Sequence, residues 1–319
     1  LNGTLNLHIE LEAKVAAFVK KEGVLTYSAG FQTNLGIISA LAGRNDYIIA
    51  DRQNHASLVD ACRLSFARLL KYRHNDMEDL EKVLSNVPDN KGKLIVVDGV
   101  FSMEGDIANL PEIVRLAKEY GARIMVDDSH GLGVMGEHGR GTAEYFDLEA
   151  EVDIVMATFS KSLGSIGGFV AAKEPVIHYI KHHSRPFIFS ASISPANAAA
   201  AIKALSILEQ EPERVRNLWE NARFLRSTLE DMGVRIGSTQ TPITPILIGN
   251  DYQTFALTKA LLDEGVYVNP VVSPAVEEGH SLIRAVCTST HTKEQLEYAL
   301  RAFEKVFKTI RSHNLITAN

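Results

Sequence analysis

Two periodicities alternate along the first two thirds of the chain. Short apolar runs bounded by turn residues predict strands over Tyr47–Ala50, Leu69–Tyr72, Lys93–Val97, Ile124–Val126, Val152–Ala157 and Phe169–Ala172. Between them, apolar residues at helical spacing predict helices over Ala56–Phe66, Met77–Leu84 and Pro111–Tyr120. Ahead of these, Leu7, Ile9, Leu11, Val15 and Phe18 mark one face of a helix from Thr4 to Lys21, with Thr4 as its N-cap. Val24 to Phe31 then reads as a strand that turns at Gly30 into a helix over Thr33–Leu41.

Strands alternating with helices argue for an α/β fold, a mainly parallel sheet covered on both faces. In such sheets ligands bind beyond the carboxyl ends of the strands. Ser102, Asp127, His130 and Lys161 all follow apolar strand cores and so fall at that edge.

The last third has a different rhythm. Ser194 to Met232 is helical with a break near Gln210, where Glu211-Pro212-Glu213 interrupts it. Strands at Ile246–Ile248 and Leu282–Cys287 and helices at Thr254–Glu264 and Lys293–Ile310 predict a smaller α+β domain. The expected division is a large domain over 1–210 and a small one over 211–319, with Arg311–Asn319 a loose tail.

Composition narrows the function classes. The 319 residues are 45% apolar, enough for a large core. A net charge of -6 lacks the basic excess of a nucleic-acid binder. Cys62 and Cys287 lie far apart without metal-ligand spacing, which suits a reducing compartment and a cytoplasmic location. No eighteen-residue apolar run is present to span a membrane. Leu1-Asn2-Gly3-Thr4 has neither the basic start nor the apolar core of a signal peptide, and the absent initiator Met points to a longer parent polypeptide.

The candidate chemistry centres on Thr158-Phe159-Ser160-Lys161-Ser162-Leu163-Gly164. A lysine just past a strand end, among hydroxyls and glycines, suits Schiff-base chemistry with a carbonyl cofactor, and burial there would ease loss of its proton. A pyridine-aldehyde cofactor also needs a carboxylate to keep its ring nitrogen protonated. Asp127 stands at a strand end, although an Asp-Asp pair there also reads as a turn or helix cap. His55 is placed to lie against a ring or simply to start a helix; His130 is placed to meet a phenolic oxygen or a loop carbonyl. Thr158, Ser160 and the Gly30 and Phe31 amides are candidate phosphate donors, with Ser190 and Ser192 weaker ones. A nicotinamide site is disfavoured: no G-x-G-x-x-G follows the first strand, and Gly164-Ser165-Ile166-Gly167-Gly168 has the wrong spacing.

Taken together, five motifs resemble the α-oxoamine synthases, fold-type-I enzymes dependent on pyridoxal phosphate. They are Ser28-Ala29-Gly30-Phe31-Gln32-Thr33-Asn34, Asn54-His55-Ala56-Ser57, Phe101-Ser102-Met103-Glu104-Gly105-Asp106, Val126-Asp127-Asp128-Ser129-His130-Gly131 and Thr158-Phe159-Ser160-Lys161. The resemblance implies a seven-stranded, mainly parallel sheet and decarboxylative condensation of an amino acid with an acyl thioester of coenzyme A or an acyl carrier protein. It makes Lys161 the Schiff-base lysine, Asp127 the pyridinium partner and His55 the stacking residue. His130 and Ser102 fall near the phenolic oxygen; Gly30, Phe31, Thr158 and Ser160 fall at the phosphate. Arg284 matches the arginine that pairs with the substrate carboxylate. Phe189 to Pro195 resembles a segment reaching the neighbouring subunit's cofactor, which implies a homodimer with shared sites.

Two departures from the family pattern stand out. Members usually carry several dozen residues ahead of the point matched by Leu1-Asn2-Gly3-Thr4, and these help to cover the site. Asn269 to Val276 contains no arginine where the biotin-pathway member has an Arg-Pro-Pro element. That apolar run favours a long uncharged acyl chain; together with Leu1–Thr4 and the lysine loop, it most resembles the bacterial serine palmitoyltransferases of the family, which serve sphingolipid biosynthesis. The alternatives are an 8-amino-7-oxononanoate synthase or a glycine C-acetyltransferase; an aminotransferase or a lysine-free partner subunit stands further off, and Lys161 argues against the last.

Overall fold

The computed structural model describes residues 4–312. The chain divides into two compact units, Leu1–Phe101 with Ile107–Pro212, and Ser102–Asp106 with Glu213–Asn319.

The first unit holds strands β1 (Gly23–Tyr27), β2 (Tyr47–Asp51), β3 (Arg68–Tyr72), β4 (Lys93–Asp98), β5 (Arg123–Asp127), β6 (Ile154–Thr158) and β7 (Gly168–Ala172). Its helices are α1 (Asn6–Phe18), α2 (Gly30–Leu41), α3 (Ala56–Leu64), α4 (Met77–Ser85), α5 (Leu110–Tyr120), α6 (Thr142–Tyr145), α7 (Glu174–His183), α8 (Arg185–Ile188) and α9 (Pro195–Gln210). The strands form a seven-stranded sheet in the order β1-β7-β6-β5-β4-β2-β3. β3, β2, β4, β5 and β6 pair in parallel, while β7 runs antiparallel to both β6 and β1. The sheet is therefore mainly parallel, as the alternation predicts.

Burial on both faces explains why the inner strands read as continuous apolar runs. Ile37 and Ile38 of α2, Leu58 of α3 and Ile177 and Ile180 of α7 pack with Ile48, Val96, Met125, Met156 and Val170 in one cluster. Leu80 and Leu84 of α4 and Ile113 and Leu116 of α5 are buried as well.

In the second unit β8 (Ile243–Gly249), β9 (Asn269–Val271) and β10 (Ser281–Val286) form an antiparallel sheet in the order β8-β10-β9. Helices α10 (Glu213–Asp231), α11 (Asp251–Asp263) and α12 (Lys293–Ser312) accompany it. Leu225, Leu229, Ile246, Leu257, Leu261, Ile283, Leu300 and Phe303 share its core. The Ser102–Asp106 segment groups with this unit because the Thr239 and Thr241 hydroxyls donate to Gly105 O at 3.1 and 2.8 Å.

Several boundaries differ from the sequence pattern for local reasons. α1 starts after Leu5, not Thr4, and the Leu5 N–H donates to His8 Nδ1 at 3.1 Å. It stops at Phe18, and Lys20 takes a left-handed backbone at φ 53°. α2 begins at Gly30 instead of Thr33, because the extended residue is Ala29. α7 and α8 were not legible as separate helices, although Pro175 and Pro186 stand in their first turns. β9 carries Pro270, which disguises it as a loop; a proline is tolerated on an edge strand, and β9 is one. Of the expected tail, Arg311 and Ser312 continue α12, and 313–319 lie outside the described residues.

Candidate active site

Parallel strands β4, β5 and β6 bring Asp98, Asp127 and Thr158 to one edge of the sheet, where the sequence-predicted residues of the first unit gather. Asp127 ends β5 and is 4% exposed. Its Oδ1 accepts the Ser129 N–H at 3.1 Å and its Oδ2 accepts Asn34 Nδ2 at 2.7 Å. Both oxygens are engaged, so the carboxylate has one orientation.

His55 is the N-cap of α3, where its Nδ1 accepts the Ser57 N–H at 3.2 Å and lies 2.7 Å from Ser57 Oγ. The residue is exposed, yet its neighbours desolvate it in part. That desolvation lowers its pKa; the Asp127 charge opposes the shift and the Lys161 charge adds to it. One imidazole therefore feels the predicted acid and the predicted amine together.

Lys161 follows β6 in the loop Ser160–Ser162 and is exposed. The expected burial of this lysine is not met: Ser160, Lys161 and Ser162 are all exposed, between the buried Phe159 and Leu163. Its charge nonetheless reaches Asp98 as well as His55. His130 is half-buried in the turn after β5, which Gly131 N closes on Asp128 O at 3.0 Å.

The predicted phosphate region is the first turn of α2. Ala29 caps that helix without a side-chain hydrogen bond, so no N-cap side chain takes up its leading amides. Gly30 packs so closely on β6 that a Cβ there would lie 3.1 Å from Thr158 Cβ and Oγ1. The Thr158 hydroxyl donates to Gly167 O at 2.8 Å, which spends its proton inside the loop. Ser160 Oγ lies 2.9 Å from Thr158 Oγ1. Phe31 is exposed; Ser190 is half-buried and accepts Gln32 Nε2 at 3.3 Å, while Ser192 is exposed.

In the second unit, Arg284 of β10 donates from Nε to Ser102 O at 2.7 Å. Two sequence-predicted residues 182 positions apart are thereby joined. Desolvation lowers the Arg284 pKa.

Three polar residues at this edge escaped the sequence reading. Asn34, Ser57 and Asp98 are 1%, 2% and 7% exposed. The available signal was a polar residue inside an apolar face, Asn34 in α2, and an acid closing a buried strand, Asp98. Asp98 Oδ2 accepts the His55 N–H at 2.6 Å, and burial, with the Asp127 charge second, raises its pKa well above the usual range. Asp128, beside Asp127, does not face the same task. Both its oxygens accept from Thr142, from the N–H and the hydroxyl, and burial pushes its pKa up to about 6.

The residues fit pyridoxal phosphate. The uncapped turn of α2 offers amides to a phosphate, and the closeness of Gly30 to Thr158 leaves only tight space for a side chain there. Asp127 offers oriented acceptors, and its charge and that of Lys161 both act on His55.

The aminotransferase class I and II family model matches residues 1–303. The serine palmitoyltransferase of Sphingobacterium spiritivorum is 54% identical over 316 residues, covering 99% of this chain and 79% of its own. An 8-amino-7-oxononanoate synthase from Thermoanaerobacter pseudethanolicus is 46% identical over 309 residues, covering 97% and 78%. Among solved structures, a serine palmitoyltransferase from S. paucimobilis with PLP and myriocin bound superposes with a TM-score of 0.94 at 39% identity, covering 98% of this chain and 79% of that one. Matched along nearly its whole length by relatives of this kind, and carrying the lysine, acid and histidine at one sheet edge, the chain belongs to the α-oxoamine synthase family of pyridoxal-phosphate-dependent acyltransferases.

Proposed function

We propose that the protein condenses L-serine with a long-chain acyl thioester, releasing the thiol and CO₂ and giving a long-chain α-amino ketone. The placement of Asp127 at the end of β5, Lys161 just past β6 and His55 at the N-cap of α3 carries the reading. The choice of acyl chain is supported by the apolar Asn269–Val276 segment and by the 54% identity to a serine palmitoyltransferase, against 46% to an 8-amino-7-oxononanoate synthase.

When bound, pyridoxal phosphate supplies an aldehyde for amines and a cationic ring that accepts the electron pair released at Cα. Asp127 would hold the ring nitrogen's proton through its oriented carboxylate, and His55 would lie against the ring face. The α2 amides of Gly30 and Phe31, with Ser160, would hold the phosphate; Thr158 braces that loop through Gly167. Ser190 and Ser192 are further candidates for the phosphate, and His130 and Ser102 for the phenolic oxygen. Lys161 would hold the aldehyde and, with its amine free, would take the Cα proton as general base. Arg284 pairs with the substrate carboxylate, a task suited to a guanidinium. Cα then bonds to the thioester carbonyl carbon, the thiolate leaves, and the carboxylate departs as CO₂.

A homodimer with shared sites is part of the proposal. Phe189 is 78% exposed, which suits a segment that meets a second copy. Among the described residues no helix is long and apolar enough to cross a membrane. We place the enzyme in the cytoplasm, at the step that commits an amino acid to sphingolipid synthesis. A thiol-release assay crossing serine, glycine and alanine with short, dicarboxylic and long-chain acyl thioesters tests the reading. Serine with a C16 thioester should turn over fastest; preference for alanine with a dicarboxylic thioester would assign the protein to the biotin branch.

A further inference from the structure

Asn34 is a buried amide in the middle of an apolar helix face, 1% exposed. Such a group is costly unless its hydrogens find acceptors. Both do. Nδ2 donates to Asp127 Oδ2 at 2.7 Å and to Ser57 Oγ at 2.9 Å, reaching β5 and α3 from α2. Its Oδ1 is buried and meets no hydrogen-bond partner among the described residues. The side chain is therefore present for its donor pair.

The Ser57 N–H donates to His55 Nδ1 at 3.2 Å, which makes that nitrogen an acceptor. Ser57 Oγ, 2.7 Å from Nδ1, then gives its own hydrogen to Nδ1 while accepting from Asn34. Nδ1 is an acceptor twice over, and the ring proton of neutral His55 belongs on Nε2. At its other hydrogen the same amide fixes which face Asp127 Oδ2 presents.

We infer that Asn34 is a positioning residue for the cofactor ring, whose one amide nitrogen orients the Asp127 carboxylate and the Ser57 hydroxyl that, with the Ser57 N–H, holds His55 in its Nε2–H tautomer. It touches neither substrate nor reacting atoms. It sets the acid at the ring nitrogen and the imidazole at the ring face from a single point, so neither can turn without disturbing the other. The effect on the ring rests on the function proposed above; the effect on His55 does not.

The test uses the full chain with histidine labelled in ¹⁵N, before and after addition of pyridoxal phosphate, with His55→Gln to assign the signal. Without cofactor, His55 of the wild type should show the shifts of a single Nε2–H tautomer. Asn34→Ala and Ser57→Ala should each give a mixture of tautomers. In the same samples, a loss of an ion-assisted hydrogen bond at Asp127 should weaken cofactor binding by about tenfold or more in Asn34→Ala. Ser57→Ala, which leaves the Asn34–Asp127 bond in place, should weaken it less. If Asn34→Ala does not fold, Ser57→Ala decides through the His55 signal alone. A single unchanged tautomer in the folded variants, with wild-type cofactor affinity, would overturn the inference. A wild type that shows the tautomer but binds no pyridoxal phosphate would sink the function and leave the role of Asn34 standing.

Discussion

The His55 N–H donates to Asp98 Oδ2 at 2.6 Å, and Asp98 sits in register beside Asp127 on the neighbouring parallel strand. The N-cap of α3 is thus pinned to the end of β4, one strand away from the acid we assign to the cofactor's ring nitrogen. Two carboxyls side by side cannot both ionise cheaply in a buried place, and it is Asp98 whose pKa is raised, by burial first and by Asp127 next.

A stability prediction follows from that sign. A carboxyl with a raised folded pKa binds its proton more tightly folded than unfolded. Its contribution is fully present below the ordinary value of 3.8 and is lost as pH rises toward the folded value. Asp98→Asn keeps an acceptor for His55 and removes the titration. Melting temperatures of variant and wild type should be similar near pH 4, and the variant should gain as pH rises to 8, by about 2–4 °C for each kcal/mol. A difference that does not change with pH would contradict the assignment.

Lys161→Ala should still bind pyridoxal phosphate through the α2 amides and Asp127. It should lose the exchange of the serine Cα proton with solvent by about 10²-fold or more, the scale of a general base. Proton NMR of serine in D₂O reads this directly. Exchange at the wild-type rate would remove Lys161 from the proton transfer.

How much of this was legible in the sequence depends on the range of the interaction. Strand ends announce themselves, so Asp127 and Lys161 were found beside apolar runs, and the parallel sheet follows from alternation. What a side chain meets across the sheet is not periodic. The Asn34–Asp127 bond joins residues 93 positions apart and left no local mark. Exposure of Lys161 was misjudged for the same reason: a strand end does not say whether the following loop folds inward or projects. Thr158 was read as a phosphate donor, but its proton turns back to Gly167, a contact set by the loop's own path.

Gly30→Ala probes the phosphate turn. The added methyl would sit 3.1 Å from Thr158 Cβ and Oγ1, and Thr158 is tied to Gly167 O and has little freedom to yield. Overpacking of this kind costs about 1–3 kcal/mol. Fluorescence titration with pyridoxal phosphate should show weaker binding, with a smaller loss for free pyridoxal, which lacks the phosphate. Equal losses for both would place the phosphate elsewhere.

Arg284→Ala should raise KM for serine while leaving KM for the acyl thioester close to wild type, since the guanidinium is assigned to the amino acid carboxylate. Arg284→Lys should recover part of the loss, not all, because an ammonium cannot pair with both carboxylate oxygens in the same fork. Steady-state kinetics with each substrate varied in turn distinguishes this from a general defect. A rise in the thioester KM alone would reassign the residue.

The most direct measurement of the central claim is reduction of the cofactor-loaded protein with borohydride, followed by peptide mass mapping. The added pyridoxyl phosphate mass should appear on the peptide containing Lys161 and vanish in Lys161→Ala. A label on a different lysine, or none in a protein that has taken up pyridoxal phosphate, would contradict the account.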